Sequence, residues 1–311
     1  MKRMTILTLT VLLLTTSCRL SRGPSAGRAT QAPPTPALTV PAPASASAAP
    51  VLNVRYSDEA TERKNSLSLD IYPVADAQSS PVMIFVHGGG WFRGDKSGVD
   101  VMAQAYNQNG FILLSINYRL IPEVRTNQQM QDVARAVAWT KENISKYGGN
   151  PARIFLMGHS AGAHLVSLLG TDEIYLKAEG LALTDIKGIV SLDTQTYDLH
   201  TLVTNLPKGT GEVYTEAFGT DPEFLKKMSP LTHVKAGKKI PPFLIAYTGE
   251  KTTRVYFSNE FYKALQEAGI PSTLLPATEK THGQIMSEFG MPNDRVSSIV
   301  FDWLRSVLQN L

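Results

Sequence analysis

One cysteine, Cys18, in 311 residues rules out an intramolecular disulfide and any zinc site built from several thiolates of a single chain. Long apolar runs are missing as well. No stretch approaches the roughly 20 apolar residues that a membrane-spanning helix needs. An excess of charge of one sign is also absent: 30 Lys and Arg stand against 27 Asp and Glu, a net charge of +3, with no basic block. Nucleic acid and anionic membrane surfaces are therefore not suggested as partners. With 43% hydrophobic and 18% charged residues the composition is that of an ordinary globular chain, long enough for a leader and one domain of about 260 residues.

The first 18 residues read as an export signal: Lys2 and Arg3 supply positive charge, residues 6–14 are rich in apolar side chains, and Thr15, Thr16 and Ser17 are small. Cys18 follows directly, as in a bacterial lipobox, although Thr15 stands where that pattern usually has Leu. Two alternatives are open: a lipidated Cys18 that anchors the chain to a membrane, or an ordinary cleaved signal with an incidental cysteine. Either way the expectation is export, to a periplasmic or extracellular location. Residues 19–50 are dominated by Ala, Pro, Ser and Thr. They hold too few large apolar side chains to offset their ordering entropy, and read as an extended tether.

From Val51 onward, short apolar runs alternate with longer amphipathic stretches, the pattern of a mostly parallel sheet with helices on its faces. Eight strands are predicted, at residues 51–56, 67–72, 82–86, 111–116, 154–157, 189–192, 243–247 and 272–275. Helical stripes run through Val99, Met102, Ala103 and Tyr106, through Met130, Val133, Ala134 and Val137, and from Val296 to Leu308. Residues 199–239 fit neither period and suggest a small lid or insertion.

Two glycine clusters carry the chemistry. Gly158-His159-Ser160-Ala161-Gly162 follows the apolar run at 154–157 and opens a helical stretch, the strand–turn–helix setting of a nucleophile elbow. A sharp turn there strains the serine backbone and presents its hydroxyl above a helix N-terminus, and side chains at the flanking glycines would collide with neighbouring elements. The second cluster, His87-Gly88-Gly89-Gly90-Trp91, follows the run at 82–86. Acyl transfer places negative charge on a carbonyl oxygen, and backbone N–H groups stabilise it best where no side chain interferes. Gly89, Gly90 and the N–H of Ala161 are the candidate oxyanion hole. His87, Gly88, Trp91 and His159 are candidate substrate-side neighbours, His87 also tying the loop down. A phosphate-binding loop would need a Lys and a Ser or Thr in P-loop spacing, which this stretch lacks.

These two motifs, with Leu69-Asp70-Ile71-Tyr72 upstream and Asn117-Tyr118-Arg119-Leu120 between them, resemble the esterase/lipase branch of the α/β-hydrolase superfamily. The likeness is to hormone-sensitive-lipase-like and feruloyl-esterase-like bacterial enzymes, and more distantly to aryl formamidases, and covers roughly residues 51–311. It implies an α/β-hydrolase fold with a mostly parallel eight-stranded central sheet and helices on both faces. It further implies hydrolysis of carboxylic esters through an acyl-enzyme on Ser160, without cofactor or metal, with a small-molecule or polysaccharide-linked ester as partner.

Of six histidines, the family order of Ser, then acid, then His implies His282 as base, because it lies after the last predicted strand; His159, His164, His87, His200 and His233 lie earlier. The family usually places the acid just after the strand read at 243–247, where Thr252 occupies the commoner acid position and Glu250 is the only carboxylate in the loop. Glu250 is preferred as the acid, Asp193 after the preceding strand is the alternative, and Asp198 a weaker third. Because the same machinery cleaves activated amides, an aryl formamidase or amidase stays open. So does a non-catalytic binding module on this fold.

Overall fold

The computed structural model describes residues 48–63, 66–207, 210–250 and 252–311. The expected leader with Cys18, and all but the last three residues of the expected tether, lie outside the described residues.

Each of the eight expected strands is present: β1 (Val51–Arg55), β2 (Ser68–Tyr72), β3 (Ser80–Val86), β4 (Ile112–Ile116), β5 (Gly149–His159), β6 (Ile186–Leu192), β7 (Phe243–Tyr247) and β8 (Ser272–Pro276). They form one sheet in the order β1-β2-β4-β3-β5-β6-β7-β8. β2 pairs antiparallel with β1 and β4, and every later pairing is parallel. β5 starts earlier than expected. Gly149, which reads as a helix stop, instead pairs with Ser80 and opens the strand, while Gly148 at φ +80° makes the turn before it.

Helices α1 (Asp100–Gln108), α2 (Thr126–Asn143), α3 (Ala161–Thr171) and α4 (Ile174–Ala178) lie in the connections from β3 to β6. Three more, α5 (Leu199–Asn205), α6 (Glu212–Phe218) and α7 (Pro222–Lys227), lie between β6 and β7. This is the segment that fitted neither period. α8 (Thr253–Glu267), α9 (Gln284–Ser287) and α10 (Arg295–Gln309) follow.

Alternation along the strands sorts the core into two layers. Val82, Ile84 and Val86 of β3 pack with Met130 and Val133 of α2, Leu165 of α3 and Phe261 of α8. Met83 and Phe85 pack on the other face with Met102 and Tyr106 of α1 and Val300 and Leu304 of α10. A sheet covered on both faces buries both sides of its strands, and β2, β4 and β7 are buried throughout.

Register positions the site. Val86 stands beside Gly158, His159 beside Leu192, Leu192 beside Ala246, and Tyr247 beside Pro276. The loops that leave β3, β5, β6, β7 and β8 therefore emerge side by side along one carboxyl edge. The strand order reverses at β3, next to β5, and crevices of open α/β sheets form at such a reversal.

Candidate active site

Ser160 sits between the end of β5 and the start of α3 with φ 55° and ψ −116°, a conformation that non-glycine residues adopt only when their surroundings enforce it. The enforcement is visible. The Ser160 N–H donates to the Leu192 carbonyl at 2.9 Å, and the Ser160 carbonyl accepts from His164 N–H at 3.1 Å. A Cβ at Gly158 would lie 2.3 Å from the Gly162 carbonyl carbon, and one at Gly162 only 2.0 Å from the Val86 oxygen. Both elbow glycines are thus dictated by the closeness of β3, β5 and α3.

His282 reaches Ser160 from the loop after β8. Its Nε2 lies 3.0 Å from Ser160 Oγ and its Nδ1 lies 2.5 Å from Asp193 Oδ2. The His282 carbonyl accepts a hydrogen bond from His159 Nε2 at 2.9 Å, with the two rings 4.7 Å apart. Burial, and then the charge of His282, push the pKa of His159 down to about 4, so His159 braces the base as a neutral donor. It also walls a cavity beside the glycine loop, on the side where it was expected.

The carboxylate on His282 is Asp193, not the preferred Glu250. Asp193 directly follows β6, and its N–H donates to the Ala246 carbonyl at 2.8 Å, continuing the ladder to β7 by one step. Its side chain is fully buried and well satisfied, as a buried charge must be. Thr248 N–H donates to Oδ1 at 2.7 Å, Thr248 Oγ1 donates to Oδ2 at 2.8 Å, and Arg254 Nε lies 3.4 Å from Oδ2. Burial alone would raise this carboxyl's pKa. The hydrogen bonds from His282 and Thr248 and the charge of Arg254 outweigh it and hold the group below the usual carboxylate range. Glu250 is exposed. Thr252, at the commoner acid position, caps α8 by accepting from Val255 N–H at 3.4 Å. Asp198 caps α5, accepting from Thr201 N–H at 3.0 Å.

The glycine loop after β3 lies against this machinery. Gly89 and Gly90 have φ of +113° and +63°. A Cβ on Gly88 would stand 3.1 Å from Ser160 Cβ. Ala161, the third candidate donor, is the first residue of α3. The loop is pinned from below. Tyr118 donates to the His87 carbonyl at 3.0 Å and stacks on its ring at 4.5 Å, and His87 Nδ1 donates to the Gly88 carbonyl at 2.7 Å. Further along, buried Lys96 pairs with buried Asp70 at 2.7 Å, and Lys96 N–H donates to Asn117 Oδ1 at 2.7 Å. Asp70, Asn117 and Tyr118 belong to the two flanking motifs, whose anchoring role was not recognised in the sequence. The signal was a carboxylate, Asp70, inside β2 and the polar Asn117 directly after β4. Arg119 holds Asp132 through bonds of 2.9 and 2.6 Å, tying this stretch to α2.

Trp91 does not face the opening. It is 3% exposed and packs against Tyr214 and Phe218 of α6 and His164 of α3. In this way the insertion is fastened to the glycine loop: Val213 Cγ2 lies 3.2 Å from where a Gly90 Cβ would be, and Tyr214 accepts from Gln195, which in turn accepts from Thr253. Residues 199–239 thus include a helix that covers one flank of the site. Among the described residues, no group of three or more His, Cys, Asp or Glu side chains is placed to hold a metal ion.

Sheet order, elbow and base loop define an α/β-hydrolase fold. Solved structures agree on the fold. A truncated carbohydrate esterase from gut microbiota superposes with a TM-score of 0.71 at 20% identity, over 85% of this chain and 97% of that one. Esterase B from Lactobacillus rhamnosis gives 0.69 at 20% identity, over 84% and 88%. The family model BD-FAE matches residues 69–265, and the chain belongs to that family. Among curated relatives, the isoprenylcysteine alpha-carbonyl methylesterase ICME of Arabidopsis thaliana is 28% identical over 243 residues, 74% of this chain and 56% of that protein. Esterase LipQ of Mycobacterium tuberculosis is 30% identical over 261 residues, 78% of this chain and 59% of that protein. The chain thus spans little more than half the length of these two relatives.

Proposed function

We propose that this protein is a serine carboxylic-ester hydrolase. The observation that carries the reading is the continuous chain from Ser160 Oγ to His282 Nε2 at 3.0 Å and from His282 Nδ1 to Asp193 at 2.5 Å. Ser160 attacks the acyl carbon while His282 takes its proton. Asp193 fixes the imidazole tautomer and stabilises the imidazolium. The backbone N–H groups of Gly89, Gly90 and Ala161 receive the negative charge that develops on the carbonyl oxygen. Collapse of the intermediate breaks the ester C–O bond, and the alcohol leaves with the proton from His282. Water, deprotonated by His282, then attacks the acyl-enzyme and releases the acid.

The substrates proposed are short-chain or aryl esters, including acetyl or feruloyl groups on polysaccharide. The position of Val213 and Tyr214 over Gly90 and Trp91 supports a short acyl group, since an extended chain would have to pass α6. The names of the relatives, esterases and a methylesterase, support ester hydrolysis in general. The proposal includes export, resting on Lys2, Arg3 and the apolar run that follows, with anchoring through Cys18 as its stronger form.

The test is hydrolysis of 4-nitrophenyl esters from acetate to palmitate by the full chain, with Ser160→Ala, Asp193→Asn and Glu250→Gln alongside. Turnover of short esters that disappears in Ser160→Ala supports the proposal. A wild type inactive on the whole series overturns it, and formyl amides would then test the amidase reading.

A further inference from the structure

Beside the catalytic loops lies a space that the reaction scheme leaves unused. A cavity of about 580 Å³ is walled by Gly88 and Gly89 of the glycine loop, His159 before the nucleophile, and Gly283 after the base. Its volume falls within the roughly 300–1,000 Å³ of small-molecule sites. The floor is apolar, with Met102 and Phe289 buried and Met286 half-buried, and the rim carries the exposed Arg93 and Asp95. At Gly283 the backbone is helical (φ −77°, ψ −41°), and an added Cβ would meet nothing within 4 Å. The cavity is therefore open at Gly283, the residue that follows the base.

The two halves of an ester part at the tetrahedral intermediate. Its oxyanion belongs at the glycine loop, and its leaving oxygen must lie at His282 Nε2, the group that protonates it. On the flank of the loop under α6, Val213 and Tyr214 stand against Gly90 and Trp91. The flank that begins at Gly283 is open. We infer that the cavity between the glycine loop, α1 and α9 is the subsite for the leaving alcohol, and that it takes a ring-bearing alcohol with an apolar face. The ring lies on Met102 and Met286, and its polar edge faces Arg93 and Asp95. This inference rests on the ester-hydrolase reading. It assigns selectivity to the alcohol half of the substrate rather than to the acyl half.

The experiment holds the acyl group constant. Methyl, benzyl and 2-naphthylmethyl acetates have leaving alcohols of similar acidity, so differences in kcat/KM report the fit of the alcohol. An acetylated methyl xylopyranoside distinguishes a sugar ring from an aryl ring. Val101 and Ser287 are exposed residues on the cavity rim, one from α1 and one from α9, and Val101→Trp and Ser287→Trp narrow it from two separate elements. In wild type the ring-bearing acetates should exceed methyl acetate in kcat/KM by about tenfold or more, and each variant should cut that ratio by about tenfold, as filling a pocket does. Thermal melting checks that the variants fold. Independently of any variant, benzyl alcohol should inhibit methyl acetate hydrolysis by wild type. A ratio unchanged in both folded variants, or no inhibition by benzyl alcohol, overturns the subsite while leaving the hydrolase reading intact, because methyl acetate turnover reports the Ser160 chemistry. Wild type that turns over none of the acetates overturns both.

Discussion

β6 and β7 end side by side at the same edge of the sheet, yet they serve His282 differently. β6 leads straight into Asp193, whose carboxylate touches the imidazole. β7 leads into Thr248, which donates both its N–H and its hydroxyl to Asp193, and the helix that follows brings Arg254 to the same oxygen that faces His282. One strand end carries the charge and the other holds it in place. Leu192 and Ala246 are neighbours in the ladder, so a carboxylate on either strand end could reach the base loop. Of the two candidates, Asp193 is fully buried against the imidazole and Glu250 is exposed.

The largest test of this comparison removes the group that both strand ends serve. Ser160→Ala should lower kcat on 4-nitrophenyl acetate by roughly 10⁶-fold, the scale of nucleophile removal in serine hydrolases. Asp193→Asn should follow with a loss of about 10⁴-fold, because an amide stabilises the wrong imidazole tautomer. A full-sized loss in Glu250→Gln with an active Asp193→Asn would reverse the roles of the two strand ends.

Next is acid stability, measured by denaturant unfolding from pH 7.5 to 4. His164 is buried and His159 half-buried, and each has its pKa lowered from 6.5 to about 4, chiefly by desolvation. Below pH 6.5 the unfolded chain takes up protons that the folded chain refuses. The stabilisation is therefore complete above pH 6.5 and is lost as pH falls toward 4, by up to roughly 1.4 kcal/mol per pH unit for each histidine. His164→Asn should flatten the slope, and a slope unchanged in that variant would show that His164 already binds its proton in the folded state.

A smaller effect separates clamp from charge. Thr248→Val removes one hydroxyl donor to Asp193 and should lower kcat/KM by about tenfold, the scale of one hydrogen bond to a charged group, with recovery in Thr248→Ser. Glu250→Gln should be the smallest, within about twofold in activity and about 0.5 kcal/mol in stability, as expected for an exposed loop residue.

Much of this was legible in the linear chain because it depends on local patterns. Period-two and period-3.6 alternation is written into consecutive residues, so the eight strands, all but β5 to within three residues, and the helices α1, α2 and α10 could be located. The elbow at Ser160 and the loop at Gly89 and Gly90 were legible because tight backbone approach demands glycine whatever lies around it. His282 became readable only through the order of residues in a resembling family.

What escaped reading depends on contacts between residues far apart in the chain. Asp193 and Glu250 are both acidic residues near strand ends, and nothing local separates them. The hydrogen bonds from Thr248 and the burial beside His282 exist only once β6, β7 and the loop after β8 are side by side. Trp91 looked like a substrate neighbour because it follows the glycines, but α6 packs over it. His159 reads as a substrate-side neighbour and does wall the cavity beside the glycine loop, but its second role, bracing the base, comes only from the return of the chain at His282. Thus chemical types and backbone constraints are set residue by residue in the sequence. The choice of which carboxylate, which ring and which flank meets the nucleophile is made by the fold, because a hydrogen bond between residues some 90 positions apart has no local signature.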